Sequence, residues 1–512
     1  MNGAEVLTAT LTQGGVDTVF MNPGTTELDL VDTFTSVPGM RCVLTLFEGV
    51  ASGAADGFGR IAGYPAATLL HLGPGLANAA ANFHNARRAR TPVISIVGEH
   101  TRAHQPLDPP LASDIAGIAK THSKFVEAIT SSDQICTAVA TALATATTAP
   151  KGVATLLFPA DLAWEPSRQS GEHLAASRSW TPDTEALKRA ATALVRPGAV
   201  IFAGGDALRK PALNELAKLC SRGAQIFAET FPAVHERGGN LPRISRLPYL
   251  PEQAIALLER ATALILIGTP QPISFFGYRG TPSILTPSGC EIIEVVPPGF
   301  PCLGAIEALA EEAGLSDPYL PPVPTEPMLQ AQQSHLDAVG LASAIASSIE
   351  SGTIVVDEAN TGGVALQGPT SDSPEHIWLT VPGGSIGEGI PLAIGAALAE
   401  PNSRVLALVA DGSSLYTIQG LWTIARERLP VTVVILNNLR YAILQYEASR
   451  RSPVTEELRK LTSLDSPAIN YRKLAEGFGI KADVAHTPFE LLQQLHGAAL
   501  RPEPVLIEAE LF

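Results

Sequence analysis

The sequence predicts three consecutive α/β domains with mainly parallel sheets, on three observations. Apolar runs of strand length alternate with helical stretches along nearly the whole chain, the pattern of strand–helix–strand units. Linkers rich in Pro, Ser or Arg interrupt that alternation twice, at about 165–182 and at DPYLPPVPTEPM (317–328), where proline stiffens and extends the chain. A length of 512 residues suits about three domains of ordinary size. The predicted domains cover residues 1–170, 183–316 and 336–512. With 46% hydrophobic and 17% charged residues the chain can fill large cores, and its 44 Gly and 41 Pro are scattered, as turns are.

A net charge of −15 and a pI near 5.2 argue against nucleic acid or an anionic membrane surface as partner. An anionic substrate would need a local positive or hydrogen-bonding site. The five cysteines lie far apart with no CxxC, which fits a reducing compartment without disulfides or zinc. The N-terminus has no basic start, and no stretch has the apolar length of a membrane span. A soluble, cytoplasmic protein is the expectation.

In the first domain AEVLTATLTQGG is an amphipathic helix stopped by Gly14-Gly15. VDTVFMNPGTTELDL reads as a strand, a Pro-Gly turn and a helix. RCVLTLFEGVASGAADGFGRIAG is a strand running into an Ala- and Gly-rich helix, with Glu48 at the strand's end. A carboxylate among apolar neighbours is desolvated, which favours its protonated form; a structural Glu satisfied by backbone donors fits equally. AATLLHLGPGLANAAANFHNARRAR reads as strand, glycine loop and helix. His71 ends that strand, a place where structural histidines are common. TPVISIVGEH and GVATLLFPAD are buried strands; His100 and His104 fall in the loop after the former, where solvation is the plain reading. The middle domain has strands at AVIFAGGDAL, AQIFAET, TALILIGTP and CEIIEVVPP.

In the third domain strands fall at TIVVDEAN, RVLALVADG, VTVVILNN and PVLIEAEL. Parallel strands joined through helices place their carboxyl ends on one edge, where α/β sheets bind ligands. Asp411 and Asn438 stand at two such ends, and oxygen ligands there suit magnesium, which takes few protein groups and adds substrate phosphates. GGSIGEGIPLAIGAALA enters an apolar helix, and its amides are expected to be free for phosphate. Ser413 and Ser414 follow Asp411-Gly412 at a helix start and can donate to the same anion.

Together these stretches resemble the thiamine-diphosphate (ThDP) enzymes, acetolactate synthase large subunits and benzoylformate decarboxylases in particular. The segment from Asp411 to Asn438 is similar to the family's diphosphate–magnesium motif, with Ala410 where Gly is usual. EGVASGAADGF, MNPGTTE, LLHLGPGLAN and GGSIGEGIPLAIGA are similar to further family stretches. The resemblance implies ThDP and Mg2+ as cofactors, the metal held by Asp411, the Asn438 side chain and the Arg440 carbonyl. It implies Asn360, Thr361, Gly384, Gly412, Ser413, Ser414 and Tyr441 around the cofactor, with Ile386 as the wedge that bends it and Glu48 against its aminopyrimidine ring. Thr25 falls where benzoylformate decarboxylase has a substrate-binding serine, and His71 where it has a catalytic histidine. Tyr441 and Leu444 are expected in the substrate pocket, a core helix being the alternative. Leu444 also stands where pyruvate decarboxylases carry a second glutamate, which points away from them, and Glu388 stands where an apolar residue is usual.

The middle domain resembles the FAD-carrying domain of acetolactate synthases. GTPQPISFFGYRG, however, lacks the R-F-D-D-R-type stretch, which argues against FAD, and Phe275, Phe276 and Tyr278 stand near where benzoylformate decarboxylase has its second active-site histidine. The implied activity is decarboxylation of a small-molecule 2-oxo acid. Protonation would then release an aldehyde; addition to a second carbonyl would give a 2-hydroxy ketone or acetohydroxy acid. In this family the first and third domains meeting at one site belong to different subunits, so a homodimer at least is implied and a homotetramer expected. A non-catalytic binding subunit and a flavin oxidoreductase are the readings of other classes.

Overall fold

The computed structural model describes residues 1–168, 180–221, 223–316 and 334–511. The linker at 317–328 and most of that at 165–182 lie outside the described residues. Residues Met1–Ser177, Pro327–Thr370 and Gly383–Phe512 gather into one compact unit, and Arg178–Glu326 with Ser371–Pro382 into another.

In the first unit β1 (Thr18–Asn22), β2 (Arg41–Leu44), β3 (Ala66–His71), β4 (Val93–Glu99), β5 (Phe125–Ala128) and β6 (Val153–Pro159) form a parallel sheet in the order β2-β1-β3-β4-β6-β5. β3, β4 and β6 are apolar runs buried on both faces, as central parallel strands must be. Leu7 and Leu11 of the helix Gly3–Gln13 pack with Val19, Leu69, Ile96 and Leu156 on one face.

The second unit holds β7 (Ala199–Ala203), β8 (Gln225–Ala228), β9 (Val234–Arg237), β10 (Ser245–Arg246), β11 (Ala263–Ile267) and β12 (Glu291–Val296). Five of these form a sheet in the order β10-β8-β7-β11-β12. Along β7, Ile201 and Ala203 enter one core while Val200 and Phe202 enter the other, the two-residue period of a strand covered on both faces.

Back in the first unit, β13 (Ile354–Glu358) precedes a strand of the second unit, β14 (His376–Thr380), which pairs antiparallel with β9. β15 (Val405–Ala410), β16 (Val431–Asn437), β17 (Lys481–Ala485) and β18 (Val505–Glu510) complete the first unit's strands. All are parallel, in the order β13-β15-β16-β18-β17, which repeats β1-β3-β4-β6-β5 of the first sheet.

Two helices join these halves of the first unit. Glu48–Ala62 is buried from Gly49 to Arg60, and Gly389–Ala399 from Gly389 to Leu398. The second is apolar all round, as a core helix is, and the first buries Asp56 and Arg60 as an ion pair. Their Gly and Ala content lets the backbones touch: a Cβ on Gly57 would strike the Leu392 carbonyl, and one on Gly395 the Ala54 carbonyl. No helix among the described residues is long and apolar enough to cross a membrane.

Candidate active site

The strand order of the first sheet reverses between β1 and β3, and ligands of open α/β sheets bind outside the carboxyl ends at such a point. The chain after β1 turns through Pro23-Gly24 into a short helical turn, Thr25–Glu27. Glu27 is fully buried. Its Oε2 accepts from the Gly24 amide at 2.8 Å and lies 2.8 Å from His71 Nδ1; the Thr26 hydroxyl bonds Oε1 and lies 3.2 Å from the same Nδ1. Both approaches need glycine: a Cβ on Gly24 would fall on the His71 ring, and one on Gly98 of β4 would collide with Glu27 Oε1. His71 ends β3 and remains partly exposed. Leu72 follows with φ +54, a left-handed conformation that costs a non-glycine residue about 1–3 kcal/mol and recurs at functional sites.

Thr25 is exposed at this edge, and its neighbour Thr26 approaches His71. Three expectations for this edge change. The glycine loop after His71 is instead the first turn of the helix Leu72–Ala89. Glu48 does not end a strand within an apolar shell. β2 stops at Leu44, and Glu48 starts its helix half-exposed, its Oε2 taking a 3.0 Å hydrogen bond from Asn78 Nδ2. His100 and His104 are not both solvated: their rings meet edge-on at 5.5 Å, with His104 exposed and His100 partly buried.

At the second edge Ala410 and Leu436 are register partners, so the residues following β15 and β16 emerge together. Asp411 is buried; its Oδ1 accepts from the Gly412 amide at 2.8 Å and its Oδ2 from the Asn438 amide at 3.1 Å. Burial pushes its carboxyl up, and these backbone donors pull it down. Asn438 Oδ1 accepts from the Arg440 amide at 3.2 Å, and Asn360, after β13, donates from Nδ2 to Ser413 Oγ at 2.8 Å. Ser414 Oγ is already donated to the Asp411 carbonyl at 2.7 Å, whereas Ser413 keeps its own proton to give. Tyr441 lies against Gly412, where a Cβ would strike its ring.

The donor set fits magnesium: one carboxylate, one amide oxygen and one peptide carbonyl, the last two with a second lone pair left. Among the described residues no three His, Cys, Asp or Glu side chains gather as a metal site, so the softer transition-metal sets have no candidate there. The helix Ala442–Ser449 has no buried residue and Leu444 is 51% exposed, which removes the core-helix alternative for Leu444.

The glycine stretch 383–389 brings a correction. The amides of Gly387, Glu388 and Gly389, expected to face phosphate, point at Glu358 at 2.5, 3.3 and 2.7 Å. Burial pushes the Glu358 carboxyl up to about 7 despite those donors. Asn85 holds Ser385 from both sides, and Asn82 reaches the Gly387 and Gly49 carbonyls, so the stretch carrying Gly384 and Ile386 is bolted to the first sheet's helices. Anion-binding capacity at this edge passes to Ser413 and Asn360, since the Gly412 amide is given to Asp411. Glu388 gains its explanation here: it is fully buried and meets Arg60, whose guanidinium also pairs with Asp56. Desolvation first, then Asp56, holds the Glu388 carboxyl well above the usual range.

The sequence reading missed Glu27, Thr26, Glu358 and Asp56. A glutamate three residues after Gly24 was the available sign, since a side chain at that offset returns to the turn's amide. In the second unit the Gly205 amide donates to Glu229 at 3.0 Å, and a Cβ on Gly204 would strike that carboxylate. A glycine turn capped by a carboxylate does not fit a dinucleotide pyrophosphate. Phe275 and Phe276 join an aromatic cluster with Phe231 and Tyr249 there.

Residues 1–118 match the family described as thiamine pyrophosphate enzyme, N-terminal TPP binding domain, and residues 360–509 its C-terminal TPP binding domain. The chain is 43% identical to IlvX of Mycobacterium tuberculosis, provisionally named an acetolactate synthase large subunit, over 99% of this chain and 98% of that one. It is 28% identical to the benzoylformate decarboxylase of Pseudomonas aeruginosa, over 97% and 96%. Among solved structures the 4-hydroxybenzoylformate decarboxylase of Rhodococcus jostii superposes with a TM-score of 0.85 at 22% identity, covering 100% of this chain and 99% of that one, which shows the shared fold.

Proposed function

This chain belongs to the thiamine pyrophosphate enzyme family, with acetolactate synthase and benzoylformate decarboxylase as its relatives, and we propose that it decarboxylates a 2-oxo acid using ThDP and magnesium. The observation that carries this reading is His71, set at the carboxyl edge where the strand order reverses and backed by a buried carboxylate. That is the arrangement of a group that moves a proton.

Bound ThDP supplies the electron sink that accepts the pair left when the carboxyl carbon departs. Asp411, Asn438 and the Arg440 carbonyl would hold magnesium, Ser413 and Asn360 would donate to the diphosphate, and Gly412, without a side chain, would leave room beside it. Glu48 would exchange a proton through its carboxylate, kept in place by Asn78. His71 would hold a proton over the reacting carbon and return it, releasing an aldehyde. The exposed Thr25 hydroxyl would donate to the substrate carboxylate. Coupling to a second carbonyl is the second reading, favoured by the likeness to IlvX.

A second copy of the chain would complete the site, as a homodimer at least, with a homotetramer the expected state. Leu46, Val364, Tyr416 and Leu444 are all exposed in the single chain and support such a partner surface. Five free cysteines support a reducing, cytoplasmic setting.

The test is a panel of 2-oxo acids with ThDP and magnesium added, scored for carbon dioxide, aldehyde and coupled product. Aldehyde formation is the expected result. Release of carbon dioxide from none of them would sink the proposal.

A further inference from the structure

We infer that Glu27 is the positioning residue of His71: it holds the imidazole as the Nδ1–H tautomer and leaves Nε2 as the nitrogen that trades a proton with substrate. This rests on the 2-oxo acid reading above. A carboxylate only accepts hydrogen bonds. Glu27 already receives the Gly24 amide on Oε2 and the Thr26 hydroxyl on Oε1, and His71 Nδ1 stands 2.8 Å from Oε2. The third donor to this carboxylate is therefore Nδ1–H, which puts the lone pair of the neutral ring on Nε2.

The surroundings leave the pair little freedom. Glu27 is fully buried between β1 and β4, with Gly98 making the room that its Oε1 fills. The ring lies on Gly24, and Leu72 takes a left-handed backbone immediately after it. A proton carrier whose distal nitrogen is fixed by a buried carboxylate needs no reorientation between accepting and returning a proton.

The experiment compares Glu27→Gln, His71→Ala and the double variant in the ThDP- and magnesium-loaded enzyme. Glutamine keeps an oxygen for Nδ1–H and removes the charge. Glu27→Gln is expected to lower kcat about 100-fold, the scale of lost acid–base catalysis, with KM and ThDP affinity within about threefold of the parent. The double variant should be no slower than His71→Ala, because residues acting as one unit do not add their losses. Losses that multiply, or a rise in KM with unchanged kcat, would overturn the assignment. Nitrogen-15 spectra of the parent enzyme labelled at histidine, with His71→Ala to assign the signal, read the tautomer without substrate and without a folded Glu27 variant. An Nδ1–H, bare-Nε2 ring is expected; the opposite tautomer overturns the pairing. Absence of any 2-oxo acid turnover would strike the catalytic reading alone, since the tautomer is measured apart from it.

Discussion

At the edge of the first sheet, the turn after β1 reaches the end of β3 through Glu27 and His71, 2.8 Å apart. At the edge of the third sheet, the turn after β13 reaches the turn after β15 through Asn360 and Ser413, also 2.8 Å apart. The strand order beneath them is the same. Both edges carry non-glycine residues in left-handed backbone, Leu72 in one and Asn360 and Leu439 in the other. Asparagine bears that conformation more easily than leucine does. The first edge gathers a carboxylate and an imidazole, groups able to exchange protons, and the second gathers fixed oxygens and neutral donors suited to a cation and an anion. One backbone plan hence presents two kinds of chemistry, and the side chains just past the strand ends decide which.

Separating the two edges by mutation is the way to break this comparison. Asp411→Ala should act most strongly. Carbon dioxide release is expected to fall about 1000-fold, with weaker ThDP binding in a fluorescence titration, because the buried charge proposed to hold the metal is lost. Unchanged cofactor affinity would remove the metal role from the third edge.

Glu48→Gln belongs to the other edge and should cost about 100-fold in carbon dioxide release. The same titration should show the cofactor still bound; loss of binding would make Glu48 a structural residue.

Chelation should reveal the third edge's share of stability. With cofactor and metal near a hundred times their dissociation constant, linkage amounts to about 2.7 kcal/mol, which EDTA should remove as a fall of about 3 °C in Tm by calorimetry. Equal Tm values with and without chelator would count against a bound divalent ion.

The smallest effect concerns the helix crossing between the edges. Burial raises the Glu358 carboxyl from near 4.5 to about 7 and raises that of Glu388 well above its usual value, so at these two groups the folded chain binds more protons than the unfolded one across that range. Their contribution to stability is fully present below pH about 4.5 and declines as pH rises through the folded values. Glu388→Gln removes one of these groups and leaves Arg60 with Asp56. The Tm of the variant should fall less than the parent's between pH 5 and 8, by roughly a few degrees. A parallel pair of curves would show that Glu388 carries no shifted proton.

The central strands were legible because β3, β4, β11, β15 and β16 are apolar runs that nothing but a doubly covered parallel strand explains. β5, β9 and β17 were not. FVEA, VHER and KADVA are short and mixed, and only pairing with a longer neighbour makes them strands. In the candidate site Asp411, Asn438 and His71 stood out because each ends a recognisable strand. Glu27 did not, since its partner lies 44 residues away. Neither did Glu358, whose ligands are backbone amides with no side-chain signature.

By itself the sequence determined the α/β alternation, the two strand ends carrying Asp411 and Asn438, and the Pro-Gly turn after β1. These are local properties: periodicity, residue type and turn chemistry act over a few residues. Tertiary structure alone decided which groups share a hydrogen bond. It gave the amides of Gly387–Gly389 to Glu358, seated Glu388 on Arg60, and set Thr26 and Glu27 around His71. A buried carboxylate must find donors wherever the fold brings them, and that choice follows from strand order and helix crossing rather than from spacing along the chain.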